Sequence, residues 1–305
     1  MSGFILNELL EKLNKRDKND TRFGSSLELR VATADAKKRT VTYEYEVGED
    51  ELYRGYLDSG WLSTVVDNAT DPLIRAVANN DNTVTTSLTV NTLEPTLRGT
   101  LLEIICRLVQ FEGRMLQATV TFRDARKKNI VYATGMHTVV YRDNVGAKLP
   151  MCAQTATECD FRDHVSKLAQ AKQSHYYYSA CLESHVVSAD RKQRQMTVEI
   201  AVGDGEISSA GCMDEGLVAT VADYWTSTLI SAVNDNKGSV TTSLTVQGLR
   251  PIVAGTLVHI ICEAANTPDG SMPCATAKFV NAADYRHVYA VVSHTKYFIQ
   301  PKSRD

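Results

Sequence analysis

Asp58-Ser-Gly-Trp-Leu-Ser-Thr-Val-Val-Asp67-Asn-Ala-Thr-Asp-Pro-Leu-Ile-Arg-Ala-Val77 is the stretch on which the reading of this chain turns. Its apolar residues Leu62, Val65, Val66, Ala69, Leu73, Ile74 and Val77 recur at helical spacing, which predicts one helix with a wide apolar face. Asp67 falls inside that pattern, where a carboxylate must be exposed, paired or used. Asp58 is a candidate N-cap, so the helix should begin near Ser59 or Gly60. Pro72 removes a donor from the helix interior and predicts a kink or an early end near Asp71.

The same stretch returns from Asp214 to Val233, with Asp223 in the place of Asp67 and Thr228 in the place of Pro72. More than half of the positions from Asp58 to Cys106 are identical to their counterparts from Asp214 to Cys262, without a gap. Val84–Val90 recurs unchanged as Val240–Val246, and Ile104-Ile-Cys106 as Ile260-Ile-Cys262. His137-Thr138 matches His294-Thr295 after one residue gained in the turn signal Thr267-Pro-Asp-Gly270. Repeats of this length are domain-sized, not solenoid-sized. The expected division is a first domain at 1–146, a linker at 147–158 and a second domain at 159–305.

Outside the helix, alternating residues predict strands at about 27–33, 39–47, 84–91, 100–111, 114–124 and 129–142, with a tight turn at Glu112-Gly113. Each copy therefore runs short helix, two strands, long helix, four strands. The short helices are Phe4–Leu13 and its match Phe161–Ala171. No βαβ alternation occurs, so the fold class is α+β, with a long central helix wrapped by an antiparallel sheet. Ile104, Val109 and Ile260 suggest an outer sheet face that is partly apolar and open to further association.

Across 305 residues, 43% are hydrophobic and 23% charged, as in ordinary soluble proteins. A net charge of −3 gives no electrostatic footprint for nucleic acid. No apolar run approaches the ~20 residues of a membrane span. Seven cysteines without a Cys-x-x-Cys pair point to reduced, buried thiols and no zinc or other metal. Glu8 and Glu11 set the N-terminal stripe apart from a mitochondrial presequence, so a cytoplasmic location is expected, with a mitochondrial one as the alternative.

The order of elements, the small-residue turn before the long helix, Val65-Val-Asp67-Asn, Thr85-Thr-Ser-Leu-Thr-Val90 and the last-strand His137-Thr138 together resemble hotdog-fold acyl-CoA thioesterases. The nearest subgroup is the phenylacetate-type one that includes thioesterase superfamily member two. The resemblance covers nearly all of both halves. It implies that the tandem chain is a fused dimer with sites at the interface between its halves. It also implies acyl-CoA as substrate, no cofactor beyond the coenzyme A of that substrate, and pairing of two chains into a homodimer of four hotdog units. By position, Asp67 and Asp223 would act as nucleophile or as general base for water. A backbone N–H of Ser59 or Gly60, and of Glu215 or Gly216, would polarise the thioester carbonyl. Thr85 and Thr241 would position water. Each site would be composite, joining Asp67 with Asp214, Glu215 and Gly216, and Asp223 with Asp58, Ser59 and Gly60. Where the family has His-Gly-Gly, this chain has Asp58-Ser59-Gly60 and Asp214-Glu215-Gly216. Where it often has an earlier Asn, this chain has Leu52 and Ser208.

Plainer readings stand beside these. Asp58 and Asp214 cap helices, Thr85 and Thr241 are strand residues, and His137 and His294 satisfy backbone groups. No Asp-x-x-x-x-His, Gly-x-Ser-x-Gly or Gly-x-Gly-x-x-Gly occurs, which sets aside a hotdog dehydratase, a serine hydrolase elbow and a dinucleotide fold. The rival is a catalytically impaired hotdog protein that binds acyl-CoA or serves as a subunit of a larger assembly.

Overall fold

The computed structural model describes residues 27–141 and 183–298, apart from 28, 36, 54, 79–82, 113–114, 209–210, 236–237 and 266–271, together with residue 166. The two short helices, the linker and the turns at Glu112-Gly113 and Thr267–Gly270 expected from the sequence lie wholly or largely outside the described residues.

The first half contains β1 (Arg30–Asp35), β2 (Thr40–Glu46), β3 (Leu52–Tyr53), β4 (Tyr56–Leu57), helix α1 (Ser59–Ala78), β5 (Thr83–Thr92), β6 (Leu101–Glu112), β7 (Met115–Asp124) and β8 (Val131–Tyr141). The second contains β9 (Ser184–Asp190), β10 (Gln195–Ala201), helix α2 (Glu215–Val233), β11 (Ser239–Gly248), β12 (Leu257–Ala264), β13 (Cys274–Asn281) and β14 (Asp284–Phe298). Twelve strands form one sheet in the order β1-β2-β6-β7-β8-β5-β11-β14-β13-β12-β10-β9. Its halves join at β5 and β11, which pair antiparallel with Thr89 opposite Thr245. Those two threonines are counterparts in the repeat, so an approximate two-fold axis passes between them.

The helices meet on the same axis. Thr64 Oγ1 lies 3.2 Å from Thr220 Oγ1, again between counterparts. Gly60 and Gly216 make this approach possible. A Cβ on Gly60 would sit 3.2 Å from Thr220 Cα, and one on Gly216 would sit 3.0 Å from Thr64 Cα.

Strand alternation builds the core. Leu116, Ala118, Val120 and Phe122 of β7 turn inward beside Leu102, Ile104 and Cys106 of β6 and the α1 residues Leu62, Val65, Val66 and Ala69. Ile104 and Ile260 are fully buried, which corrects the expectation that they line the outer face. Strand register sends them toward the helix layer, while Val109 is 49% exposed. A register shift between Thr85 and Ser87, repeated between Thr241 and Ser243, lets residues three apart share one face. Thr85 and Leu88 are therefore both buried, as are Thr241 and Leu244.

Helix α1 runs through Pro72 to Ala78, so of the kink or early end expected near Asp71 the early end does not occur. Leu73 and Ile74, just beyond the proline, are both completely buried. Burying each is worth ~1.5–3 kcal/mol, which outweighs the ~3 kcal/mol penalty of an interior proline. Among the described residues no helix is long and apolar enough to cross a membrane.

Candidate functional site

Helix α2 carries Asp223 two turns from its start, and nearly all of this helix is buried. A carboxylate there needs partners, and the surroundings supply them. Ser59, the first residue of α1 in the other half, donates to Asp223 Oδ2 at 2.9 Å. Ser227, one turn along α2, donates to Oδ1 at 3.2 Å, and so does Thr241 at 3.2 Å. His294 Nε2 stands 3.1 Å from Oδ1. Lys296, two residues further along β14, places Nζ 3.9 Å from the same oxygen. Its ammonium donates to Ser227 Oγ at 2.8 Å and to Thr241 Oγ1 at 3.0 Å. Ser59 Oγ also lies 3.0 Å from Thr241 Oγ1. Burial is the strongest single influence on Asp223 and opposes its ionisation. The charges of Lys296 and His294 and the hydroxyl donors outweigh burial and hold the carboxyl below its ordinary range.

A cavity of about 310 Å³ opens onto this group. One half contributes Tyr53, Tyr56, Asp58, Ser59, Leu62 and Pro95, and the other contributes Asp223, Thr241, Lys296 and Tyr297. Its walls are largely apolar and aromatic, with Asp58, Glu94, Asp223 and Lys296 as the charged residues, as in sites for small organic ligands.

The Asp67 site has the same frame and a different temper. The Gly216 amide, near the start of α2, donates to Asp67 Oδ2 at 3.3 Å. His137 Nε2 lies 3.3 Å from Oδ1 and 2.7 Å from Thr85 Oγ1, and its Nδ1 is 2.6 Å from Thr70 Oγ1. Asp214 of the other half is near enough to Asp67 for each carboxyl to act on the other's ionisation. Burial, with Asp71 adding repulsion, pushes Asp67 up to about 7. Burial and then the Asp67 charge push Asp214 and Glu215 upward as well. Carboxyls crowded this way hold protons between them. Asp71, one turn along α1 from Asp67, meets Arg75 Nε at 2.8 Å. Burial lowers His137 to about 4, so its imidazole is neutral at pH 7.

Every candidate from the sequence falls in or beside these two groups. Asp58 Oδ1 accepts from the Trp61 amide at 3.0 Å and Asp214 Oδ1 from the Leu217 amide at 3.1 Å, so both cap their helices. Gly60 lies against Thr220 at the helix crossing and does not line the cavity, whereas Ser59 does. Both histidines reach site hydroxyls and carboxylates, beyond the backbone role that the plainer reading gave them. Lys296 and Ser227 were not singled out from the sequence. The signal for both was a break in the repeat, with Val139 and Asp71 as their counterparts. Among the described residues no cluster of His, Cys, Asp and Glu is placed to hold a metal ion.

No protein-family model matches the sequence, and no curated protein matches it. Solved structures do match in fold. The tesB protein of Mycobacterium avium subsp. paratuberculosis aligns over 97% of this chain and 100% of its own, at 12% identity and a TM-score of 0.59. The acyl-CoA thioesterase II TesB2 of Mycobacterium marinum aligns over 96% and 99%, at 10% identity and a TM-score of 0.55. The 12:0-ACP thioesterase of Umbellularia californica aligns over 86% and 98%, at 7% identity and a TM-score of 0.56. The described residues have the hotdog-type fold of these thioesterases.

Proposed function

We propose that this protein hydrolyses acyl-CoA thioesters at composite sites between two fused hotdog units, each a long helix wrapped by its half of the sheet. One observation carries the reading: the helix acid of each half meets the helix start of the other. Ser59 reaches Asp223 at 2.9 Å, and the Gly216 amide reaches Asp67 at 3.3 Å. This is the reciprocal pairing that a fused dimer with interface sites requires. The domain limits at 1–146 and 159–305 belong to the same proposal.

The chemistry follows from charge and position. A water held by Asp223 and Thr241 gives a proton to the carboxylate as its oxygen bonds to the carbonyl carbon. The carbonyl π pair moves onto oxygen at the positive start of α1. When that pair returns, the C–S bond breaks and sulfur leaves with its electrons. The proton on Asp223 passes to the sulfur, giving free thiol and carboxylic acid.

The second reading, acyl-CoA binding without turnover, draws on the state of Asp223, whose two oxygens already accept three hydroxyl hydrogen bonds. Thiol release from an acyl-CoA chain-length series separates the two. The wild type should release thiol, and Asp67→Asn combined with Asp223→Asn should reduce the rate by about two orders of magnitude or more. Undiminished release by the double variant, or ester binding without release by the wild type, would sink the hydrolase reading.

A further inference from the structure

The two composite sites share Asp, Thr and His and differ at four matching positions, one of them Arg75 near Asp67 in the place of Ser231. Ser59, Ser227 and Lys296 surround Asp223, while Glu215, Asp71 and Val139 hold those places around Asp67. One site has therefore gained a cation and two hydroxyl donors. The other has gained two carboxyls, an apolar side chain and Arg75, whose guanidinium is engaged by Asp71 at 2.8 Å.

Lys296 is only 4% exposed. Burying an ammonium is costly, and the fold does not demand it, because Val139 fills the matching position at 1% exposure. Ser227, Thr241 and Asp223, which the lysine meets, are residues of the site itself. It also lines the cavity beside Asp223 and Ser59. Thioester hydrolysis builds negative charge on the carbonyl oxygen. A fixed cation in a water-poor pocket stabilises that charge, and neighbouring carboxylates oppose it.

We propose that Lys296 makes the two sites unequal: its ammonium receives the charge that develops on the thioester carbonyl in the Asp223 cavity, and that cavity alone turns substrate over. The Asp67 site keeps the frame and does no chemistry. This rests on the hydrolase reading above and goes further, because that reading allows two working sites.

Kinetics of the full chain on an acyl-CoA series provide the test. Lys296→Met keeps length and removes charge, and Asp223→Asn keeps shape. Each change alone should lower kcat about 100-fold or more with KM within a few-fold, the usual loss on removing one oxyanion donor or base. Lys296→Arg should recover part of the lost kcat. Melting temperatures report whether each variant is folded, and if Lys296→Met is not, Asp223→Asn decides alone. About half the activity left in Asp223→Asn would overturn the inference while leaving the hydrolase reading intact. Unchanged kcat in folded Lys296→Met would do the same. A wild type that turns over no acyl-CoA would remove the hydrolase reading and this inference with it.

Discussion

Lys296 and Val139 hold the same place in the two halves, Lys296 opposite Thr241 across β11 and β14, and Val139 opposite Thr85 across β5 and β8. One strand position thus decides whether a site threonine meets an ammonium or a methyl group.

The pH dependence of turnover follows from this difference. Asp223 faces Lys296 and His294 on β14, and Asp58 and Glu94 also line the cavity. Its carboxyl lies below its ordinary value of 3.8, so the base stays ionised as pH falls from 7 toward 4. The rate assigned to this base should be nearly flat over that range. An acid limb centred near 7 would assign the chemistry to Asp67 instead, whose carboxyl titrates at about 7.

Stability should carry the opposite signature at the other site. Asp67 is raised from 3.8 to about 7 on folding, so the folded chain holds this proton more tightly than the unfolded one. The resulting stabilisation is full below pH 4 and is lost as pH rises through 7, by up to about 4 kcal/mol. Asp67→Asn should therefore raise the melting temperature at pH 8 more than at pH 5. Equal shifts at both pH values would show that the carboxyl is not strained by ionisation.

Alanine at the helix crossing tests the packing. A Cβ at Gly216 would meet Thr64 Cα and Asp214 Oδ1, each at 3.0 Å, and backbone cannot swing aside. Alanine normally favours a helix interior by ~1 kcal/mol over glycine. Here the clash should win, and Gly216→Ala should destabilise by about 1–3 kcal/mol in urea denaturation. A gain in stability would mean that the helices can separate at little cost.

Val109, Met115 and Met136 remain exposed on the outer sheet face of the first half. Pairing of two chains would cover such a surface, so light scattering at micromolar concentration should show a species near twice 33.6 kDa. A lone 33.6 kDa species would end this expectation.

Periodicity made the frame readable. Seven apolar positions from Leu62 to Val77 defined the long helix, and the ungapped repeat placed its twin. Asp67 and Asp223 stood out because a carboxylate inside an apolar pattern must find partners. The fate of Pro72 was not readable, because the burial of Leu73 and Ile74 depends on a sheet distant in sequence. Lys296 was hidden for a related reason. A lysine among alternating strand residues looks like a solvent contact until β14 is paired with β11 and every second side chain faces the helix.

The join between β5 and β11 carries one more consequence. In a dimer of identical chains every substitution appears in both sites, so a change that helps one and harms the other is cancelled. Here one polypeptide supplies both halves of the sheet, and each position around the axis is encoded twice. A codon for lysine at 296 leaves the codon for valine at 139 untouched. A single chain is thereby free of the obligation to make its two halves alike, and on the proposed reading the carboxyl cluster around Asp67 can change while the group around Asp223 keeps its charge.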